Sequence, residues 1–314
     1  LLTFTNRAAR EMLERAAQLV GGDVGGLWGG TFHHSANRML RRHAPLLGYG
    51  PDYTILDEDD TGRLLRACIA DLGLKDKKFP KPAVLAAVFG LAANRGVPVE
   101  ETVREHFEGH TVDLAGVLKV HAHYGQRKRA QNAMDFDDLL VNGLRLLQEH
   151  ADILARYQER MQHVLVDEYQ DTNRLQADFV DLIAGRHRNL LAVGDDFQSI
   201  YSWRGAEVKN ILSFPQRYPD TRVFKLEENY RSTPGILDVA NEVIRHNPEQ
   251  YQKTLRATRA ADVKPVLAKV TDGGHQARYV VEKVRRLLES GAAEPGQIAV
   301  LYRSHYHSME LQME

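Results

Sequence analysis

Val164-Leu165-Val166-Asp167-Glu168-Tyr169-Gln170-Asp171-Thr172-Asn173 decides the fold. Three consecutive apolar residues, two of them β-branched, read as a short strand of a parallel sheet covered by helices. The strand ends abruptly in two acids. In open parallel sheets, ligands bind beyond the carboxyl ends of the strands. One carboxylate there can hold a hydrated Mg²⁺, and the second can orient or deprotonate an attacking water. An acid pair by itself is equally well explained as two solvated residues at a strand end, so the surrounding sequence has to decide.

The same grammar recurs on both sides. A helix predicted over Leu175–Ala184 leads to Leu190-Leu191-Ala192-Val193, a second strand, which ends in Gly194-Asp195-Asp196. The chain continues as Phe197-Gln198-Ser199-Ile200-Tyr201-Ser202-Trp203-Arg204-Gly205-Ala206. A third strand is expected over Arg222–Leu226, before Glu227-Glu228-Asn229-Tyr230-Arg231-Ser232-Thr233. Tyrosine and tryptophan two apart, beside an arginine, suit base stacking with a phosphate contact. A glutamine behind a strand-end acid can read a terminal phosphate. A tyrosine–arginine pair can stack a purine and neutralise phosphate charge.

Upstream, Leu1–Thr5 is β-prone, Asn6 reads as a helix N-cap, and Ala8–Val20 has helical periodicity. The glycine-rich stretch Gly21–Gly30 reads as a surface loop, followed by a basic helix, Asn37–His43. Beside Thr31-Phe32-His33, its Arg38, Arg41, Arg42 and His43 favour contact with a nucleic-acid backbone over a merely solvated face. Pro45–Ala130 is nearly all helical, with no convincing strand, and reads as an insertion. Its run Gln126-Arg127-Lys128-Arg129 reads as a solvated face, with duplex contact as the alternative. Downstream, Pro248–Lys264 is polar and connects to a strand–helix–strand pattern over Val266–Val270, Gln276–Ser290 and Ile298–Tyr302, the start of a second α/β domain.

The chain has 314 residues, enough for about two domains. With 43% hydrophobic and 26% charged residues it can bury a core. Lys plus Arg number 41 against 42 Asp plus Glu, so any nucleic-acid surface must be local rather than global. A single cysteine, Cys68, excludes a disulfide framework and a cysteine metal cluster. No signal peptide opens the chain and no apolar run approaches the ~18 residues of a membrane span, which favours a cytoplasmic location and no membrane partner. The chain opens at Leu1 on a strand already under way and stops at Glu314 within a helical pattern, so it is expected to be a fragment.

These pieces together resemble the motor region of superfamily-one DNA helicases of the UvrD/Rep/PcrA type. Thr3-Phe4-Thr5-Asn6-Arg7-Ala8-Ala9 resembles motif Ia and Gly30-Thr31-Phe32-His33 motif Ib. Met134-Asp135-Phe136-Asp137-Asp138-Leu139-Leu140 resembles the acidic signature ahead of the Walker B strand. Asp167–Asn173 resembles motif II, Gly194–Ala206 motif III and Glu227–Thr233 motif IV, while Ile298–Ser304 resembles an early strand of the second motor domain. The resemblance implies an α/β fold: a recA-like, P-loop-type parallel sheet over 1–44 and 131–233. It also implies a helical insertion over 45–130 and the start of a second recA-like domain over 234–314.

By the same resemblance, Asp167 binds Mg²⁺, Glu168 activates water and Gln198 contacts the γ-phosphate. Arg231 is an arginine finger across the cleft between motor domains and Tyr230 stacks on adenine. Phe4, Tyr201 and Trp203 stack single-stranded bases. Asn6, Arg7, His33 and Arg204 contact the DNA backbone or link DNA to nucleotide. ATP, Mg²⁺, single-stranded DNA and duplex junctions are the implied ligands, and ATP-driven 3′-to-5′ unwinding the implied activity. The sequence departs from the family pattern at Arg7 (usually lysine), His34 (often serine), Phe197 (often acidic) and Glu228 (often glutamine), the last putting a carboxylate near the implied nucleotide site. No Gly-x-x-x-x-Gly-Lys-Ser/Thr phosphate loop occurs in the 314 residues, and as given the chain is expected to be inactive. Two alternatives stay open: the motor part of a helicase–nuclease, and a non-catalytic DNA-binding relic.

Overall fold

The computed structural model of the chain describes residues 1–22, 26–74, 78–261 and 263–314, with the backbone alone at Arg204. Residues 23–25 of the glycine-rich loop lie outside this set. The chain divides into two units, residues 1–225 with 247–253, and residues 226–246 with 254–314.

In chain order the first unit begins β1 (Leu2–Thr3), α1 (Asn6–Val20), β2 (Gly30–Thr31) and α2 (Phe32–His43). It continues through β3 (Thr54–Ile55), α3 (Glu58–Asp71), α4 (Pro82–Arg95), α5 (Val99–His106) and α6 (Leu114–Ala130). Then come β4 (Ala133–Met134), α7 (Phe136–Glu149), α8 (Ala151–Arg160), β5 (Val164–Val166), α9 (Arg174–Ala184) and β6 (Leu190–Ala192). The short helices α10 (Lys209–Leu212) and α11 (Phe214–Arg217) follow.

The main sheet has the order β2-β1-β5-β6, with every pairing parallel. Leu2 faces Gly30 and Val166, and Val166 faces Ala192. This register brings the carboxyl ends of the four strands level, which gathers the residues that follow them at one edge. Val164 and Val166 are buried against Phe32, Met39 and Leu40 of α2, Leu140 and Leu147 of α7, and Phe179 and Val180 of α9, all in one apolar cluster. Each such side chain contributes about 1.5–3 kcal/mol on leaving water. The alternation of apolar and polar positions on these helices therefore fixes which face lies on the sheet.

The insertion has a core of its own. Leu65 and Cys68 of α3, Leu85 and Val88 of α4, Val103 of α5, and Val117, Val120 and Tyr124 of α6 form a second cluster. One feature differs from the strand-free reading of this stretch: Thr54 and Ile55 pair in parallel with Ala133 and Met134. Two residues show no periodicity to read. The bridge forms because the insertion must leave and rejoin the sheet domain at neighbouring points. The first helix also starts differently from expectation. Thr5, not Asn6, is the N-cap, its Oγ1 accepting the Ala8 N–H at 3.1 Å, and Asn6 is the first helical residue. Either side chain can cap, and the extended Thr5 backbone selects it. The basic helix begins at Phe32 rather than Asn37, capped by Thr31.

The second unit contains β7 (Glu228–Asn229), α12 (Pro234–Ile244), β8 (Arg256–Ala257), α13 (Gly273–Glu289) and α14 (Ser308–Met313). Among the described residues its only sheet is the parallel bridge of Glu228–Asn229 with Arg256–Ala257. The strand expected over Arg222–Leu226, which leads into this unit, is not formed, nor are those over Val266–Val270 and Ile298–Tyr302. Leu226, Leu267 and Leu301 stand 85%, 84% and 93% exposed. β-propensity becomes a strand only where a neighbouring edge supplies hydrogen-bond partners, and these segments have none among the described residues. No helix of the described residues is long and apolar enough to cross a membrane.

Candidate functional site: the carboxyl edge of the parallel sheet

At the end of β5 the Asp167 N–H still donates to the Leu2 carbonyl at 2.9 Å. Glu168 then turns sharply, with φ +54°, in the left-handed region. For a residue with a Cβ this costs about 1–2 kcal/mol, and the neighbouring contacts hold it. Glu168 Oε2 accepts from Gln170 Nε2 at 2.8 Å, and Gln170 Oε1 accepts the Asp195 N–H at 2.9 Å. Gln170 is 1% exposed. One buried amide therefore ties the acidic tip of β5 to the loop after β6. The approach leaves no room for a side chain at Gly194, where a Cβ would lie 2.5 Å from Gln170 Oε1 and 2.7 Å from Ile211 Cδ1. Burial, and then the nearby Glu168 charge, push Asp171 up to about 6.

The loop after β6 carries the next groups. Gln198 is exposed, with Nε2 donating to Asp195 Oδ2 at 2.8 Å. Burial alone would raise the Asp195 carboxyl, but Lys253 and then Gln198 hold it below the usual range. Further along, the Tyr201 ring lies 5.4 Å from Phe4 and 6.3 Å from Trp203, tilted by 30° and 45°. Trp203 is 61% exposed, so this aromatic row has an open end. Gly205, at φ +84°, closes the loop against Asn94 of the insertion. The Arg204 side chain lies outside the described residues.

Asn6 and Arg7 are exposed at the start of α1, and Arg7 Nε pairs with Glu11 at 2.9 Å. His33 packs edge-on against Phe136, ring centres 6.0 Å apart, and burial lowers its imidazole to about 4. At neutral pH it offers a phosphate a hydrogen bond but no charge. Tyr230 and Arg231 belong to the second unit and are both exposed. The Tyr230 hydroxyl donates to Glu228 Oε2 at 2.8 Å, and the Arg231 carbonyl accepts from Arg259 Nη1 at 2.8 Å.

Two basic stretches differ from their sequence reading. Arg38 lies 4.2 Å and Arg42 5.8 Å from the Trp28 ring centre. Arg41 lies 3.8 Å from the Tyr53 ring and donates to the Pro51 and Tyr53 carbonyls. Arg41 is thus committed to the fold rather than to a ligand, because a planar guanidinium stacks well on an aromatic face. In the run Gln126–Arg129, Lys128 is buried and pairs with Asp135 and Asp138 at 2.6 Å each, while Arg127 pairs with Asp71 at 2.7 Å. That face is solvated only in part.

Sequence reasoning assigned roles to the acids but not to the residues that hold them. Gln170 holds Glu168, and at Asn173, further along the same loop, a second set of ties begins that includes Asn94 and Asp137. Asn173 caps α9 and donates through Nδ2 to Asn94 Oδ1 at 2.6 Å; Asn94 Nδ2 donates to Asp137 Oδ1 at 2.9 Å. A chain of amides therefore runs from the end of the acidic loop into the insertion. The capping pair Asn173-x-x-Gln176 was the legible part of it. A cavity of about 1270 Å³ lies between the insertion and α7, lined by Lys81, His121, Phe136 and Asp137 among others, away from the strand tips.

A level row of parallel strand tips, an acid pair, a glutamine loop and an aromatic row on that same loop define a recA-like motor domain. Residues 1–219 match the family described as the UvrD/REP helicase N-terminal domain, and residues 224–314 match the UvrD-like helicase C-terminal domain. The chain belongs to the UvrD/Rep helicase family. It is 37% identical over 312 residues to the ATP-dependent DNA helicase PcrA of Staphylococcus epidermidis, covering 99% of this chain and 42% of that protein. It is 39% identical over 320 residues to the ATP-dependent DNA helicase UvrD1 of Mycobacterium tuberculosis, covering 99% of this chain and 41% of that protein. The chain thus spans about two fifths of the length of the curated relatives it matches.

Proposed function

We propose that this chain is part of an ATP-driven motor that moves on single-stranded DNA and opens duplex at junctions, with 3′-to-5′ polarity by family resemblance. The observation that carries the reading is the single loop after β6. It bears Gln198 and the stacking residues Tyr201 and Trp203, and Gln170 ties it to Glu168. Nucleotide chemistry and base stacking therefore share one rigid connection. In domain terms the reading assigns 1–44 and 131–233 to the first motor domain, 45–130 to the insertion and 234–314 to the beginning of the second, although 226–233 pack in the second unit and 247–253 in the first.

Asp167 and Glu168 supply two consecutive carboxylates just beyond the last residue of β5. That fits Mg²⁺, which keeps several waters and takes one or two carboxylates together with substrate phosphates; when bound it neutralises developing phosphate charge. Asp167 is the residue that would hold it. Glu168 would orient the attacking water and take its proton, its position set by the left-handed turn and by Gln170. Gln198 would sense the terminal phosphate. Tyr230 and Arg231 would contact adenine and transition-state charge. Phe4, Tyr201 and Trp203 would grip bases of any sequence, at about 1–3 kcal/mol per stacked base. Asn6, Arg7, His33 and Arg204 would meet the backbone, His33 as a neutral group.

The test is ATP hydrolysis by the full-length gene product, with and without single-stranded DNA. Wild type should be stimulated by DNA. Glu168→Gln should bind ATP within a few-fold of wild type and turn over at least about 100-fold more slowly. Retained turnover in Glu168→Gln would overturn the role of Glu168, and a wild type without DNA-stimulated hydrolysis would overturn the motor reading.

A further inference from the structure

Lys253 stands against the glutamine loop although nothing in its local sequence marks it. Residues 247–253 pack with the first unit, while the residues before them, 226–246, and after them, from 254, belong to the second. The segment is a strap. Tyr251 anchors it, its N–H donating to Asp196 Oδ2 at 2.8 Å and its hydroxyl to the Ile211 carbonyl at 3.1 Å. Lys253 Nζ then reaches Asp195 Oδ1 at 2.6 Å and Asp196 Oδ1 at 2.5 Å, and lies 3.9 Å from the centre of the Phe197 ring. The Lys253 side chain is 11% exposed and that of Asp196 3%. Charges this deep remain in place only while paired.

Asp195 is the branch point. Its Oδ1 takes Lys253 and the Phe197 N–H, its Oδ2 takes Gln198 Nε2 at 2.8 Å, and its own N–H goes to Gln170, which holds Glu168. Without Lys253, the Asp195 carboxylate would keep only the Phe197 N–H to hold it against Gln198.

We propose that Lys253 is a positioning residue for hydrolysis: by fixing the Asp195 carboxylate it sets Gln198, on the residue whose backbone N–H also holds Gln170 beside Glu168. The inference rests on the motor reading above. The Lys253 ammonium is committed to Asp195 and Asp196. Because both flanks of the strap run directly into the second unit, the polypeptide itself joins that unit to the phosphate-sensing glutamine.

The experiment compares wild type, Lys253→Met and Lys253→Arg in the full-length gene product. DNA-stimulated ATP hydrolysis is measured together with amide hydrogen exchange. Lys253→Met should lower kcat about tenfold or more, with KM for ATP and affinity for single-stranded DNA within about twofold. Lys253→Arg, which keeps the charge, should recover most of the rate. Amides of residues 195–199 should exchange about tenfold faster in Lys253→Met, with α9 unchanged. An unchanged kcat in an active wild type would overturn the proposal. So would a loss of rate matched by a loss of folded protein with faster exchange throughout. If wild type itself showed no DNA-stimulated hydrolysis, the motor reading would fail. The exchange pattern would then decide the positioning alone: unchanged exchange at 195–199 overturns it, and localised acceleration supports it.

Discussion

Replacing Asp137 by asparagine should stabilise the first unit at neutral and alkaline pH and leave it unchanged in acid. Burial, and then the charge of Asp135, push the Asp137 carboxyl from the ordinary 3.8 up to about 6, against the opposing pull of the Asn94 hydrogen bond. A group whose folded value is raised binds its proton more tightly in the folded state. Its stabilising contribution is therefore complete below the unfolded value near 3.8 and is lost as pH rises through about 6. The gap of about two units corresponds to about 3 kcal/mol. Asp137 still faces the groove beside α7, so solvent screens part of this and about 2 kcal/mol remains. An acid in the first turn of α7 also gains about 0.3–1 kcal/mol from the helix dipole, which asparagine forfeits. The net gain expected for Asp137→Asn is about 1–2 kcal/mol at pH 8, falling to near zero at about pH 4. Both tryptophans, Trp28 and Trp203, lie in the first unit, so fluorescence-detected urea unfolding reports on that unit. A difference independent of pH, or a variant less stable than wild type at pH 8, would refute the reasoning.

Three further outcomes are expected. Gly194→Ala forces a methyl group against Gln170 and Ile211, and should cost about 1–3 kcal/mol in urea unfolding while slowing hydrolysis; a variant of wild-type stability would mean that the loop yields. Trp203→Ala should weaken single-stranded DNA binding about 10- to 100-fold in fluorescence anisotropy, with an unchanged melting temperature; unaltered affinity would show that the row ends at Tyr201. His33 stays neutral from about pH 5.5 upward, so His33→Gln should bind DNA with the same pH profile as wild type, and a step between pH 5.5 and 8 that vanishes in the variant would contradict its burial.

The first unit was legible where a local pattern and its partners agree. Val164–Val166 is apolar, β-branched and followed by acids, and it forms the strand it should because β1 and β6 lie on either side. The same kind of pattern over Val266–Val270 forms no strand, because a strand is a property of a pair. The residues proposed to touch ligands come as short contiguous strings, so they stand out in a sequence. Those that hold them do not: Asn94 and Asn173 are 79 positions apart, and Lys253 and Asp195 are 58 apart. Arg41 and Lys128 mislead for a different reason: Arg41 reads as a nucleic-acid backbone contact and Lys128 as part of a solvated run, yet each side chain is taken by a partner only 12 or 7 positions on, the Tyr53 carbonyl and Asp135.

The course of residues 247–253 has a consequence for how this protein can be divided. The first unit is not a contiguous stretch, because the chain leaves it after residue 225, returns at 247 and departs again after 253. A cut at residue 225 yields a first half stripped of Tyr251 and Lys253, with the Asp195 and Asp196 carboxylates deprived of the Lys253 ammonium. Nor can the second half be exchanged as a cassette, since it carries the Tyr251 and Lys253 contacts of its neighbour. Recombination, proteolysis and protein engineering must therefore keep residues 247–253 with residues 1–225.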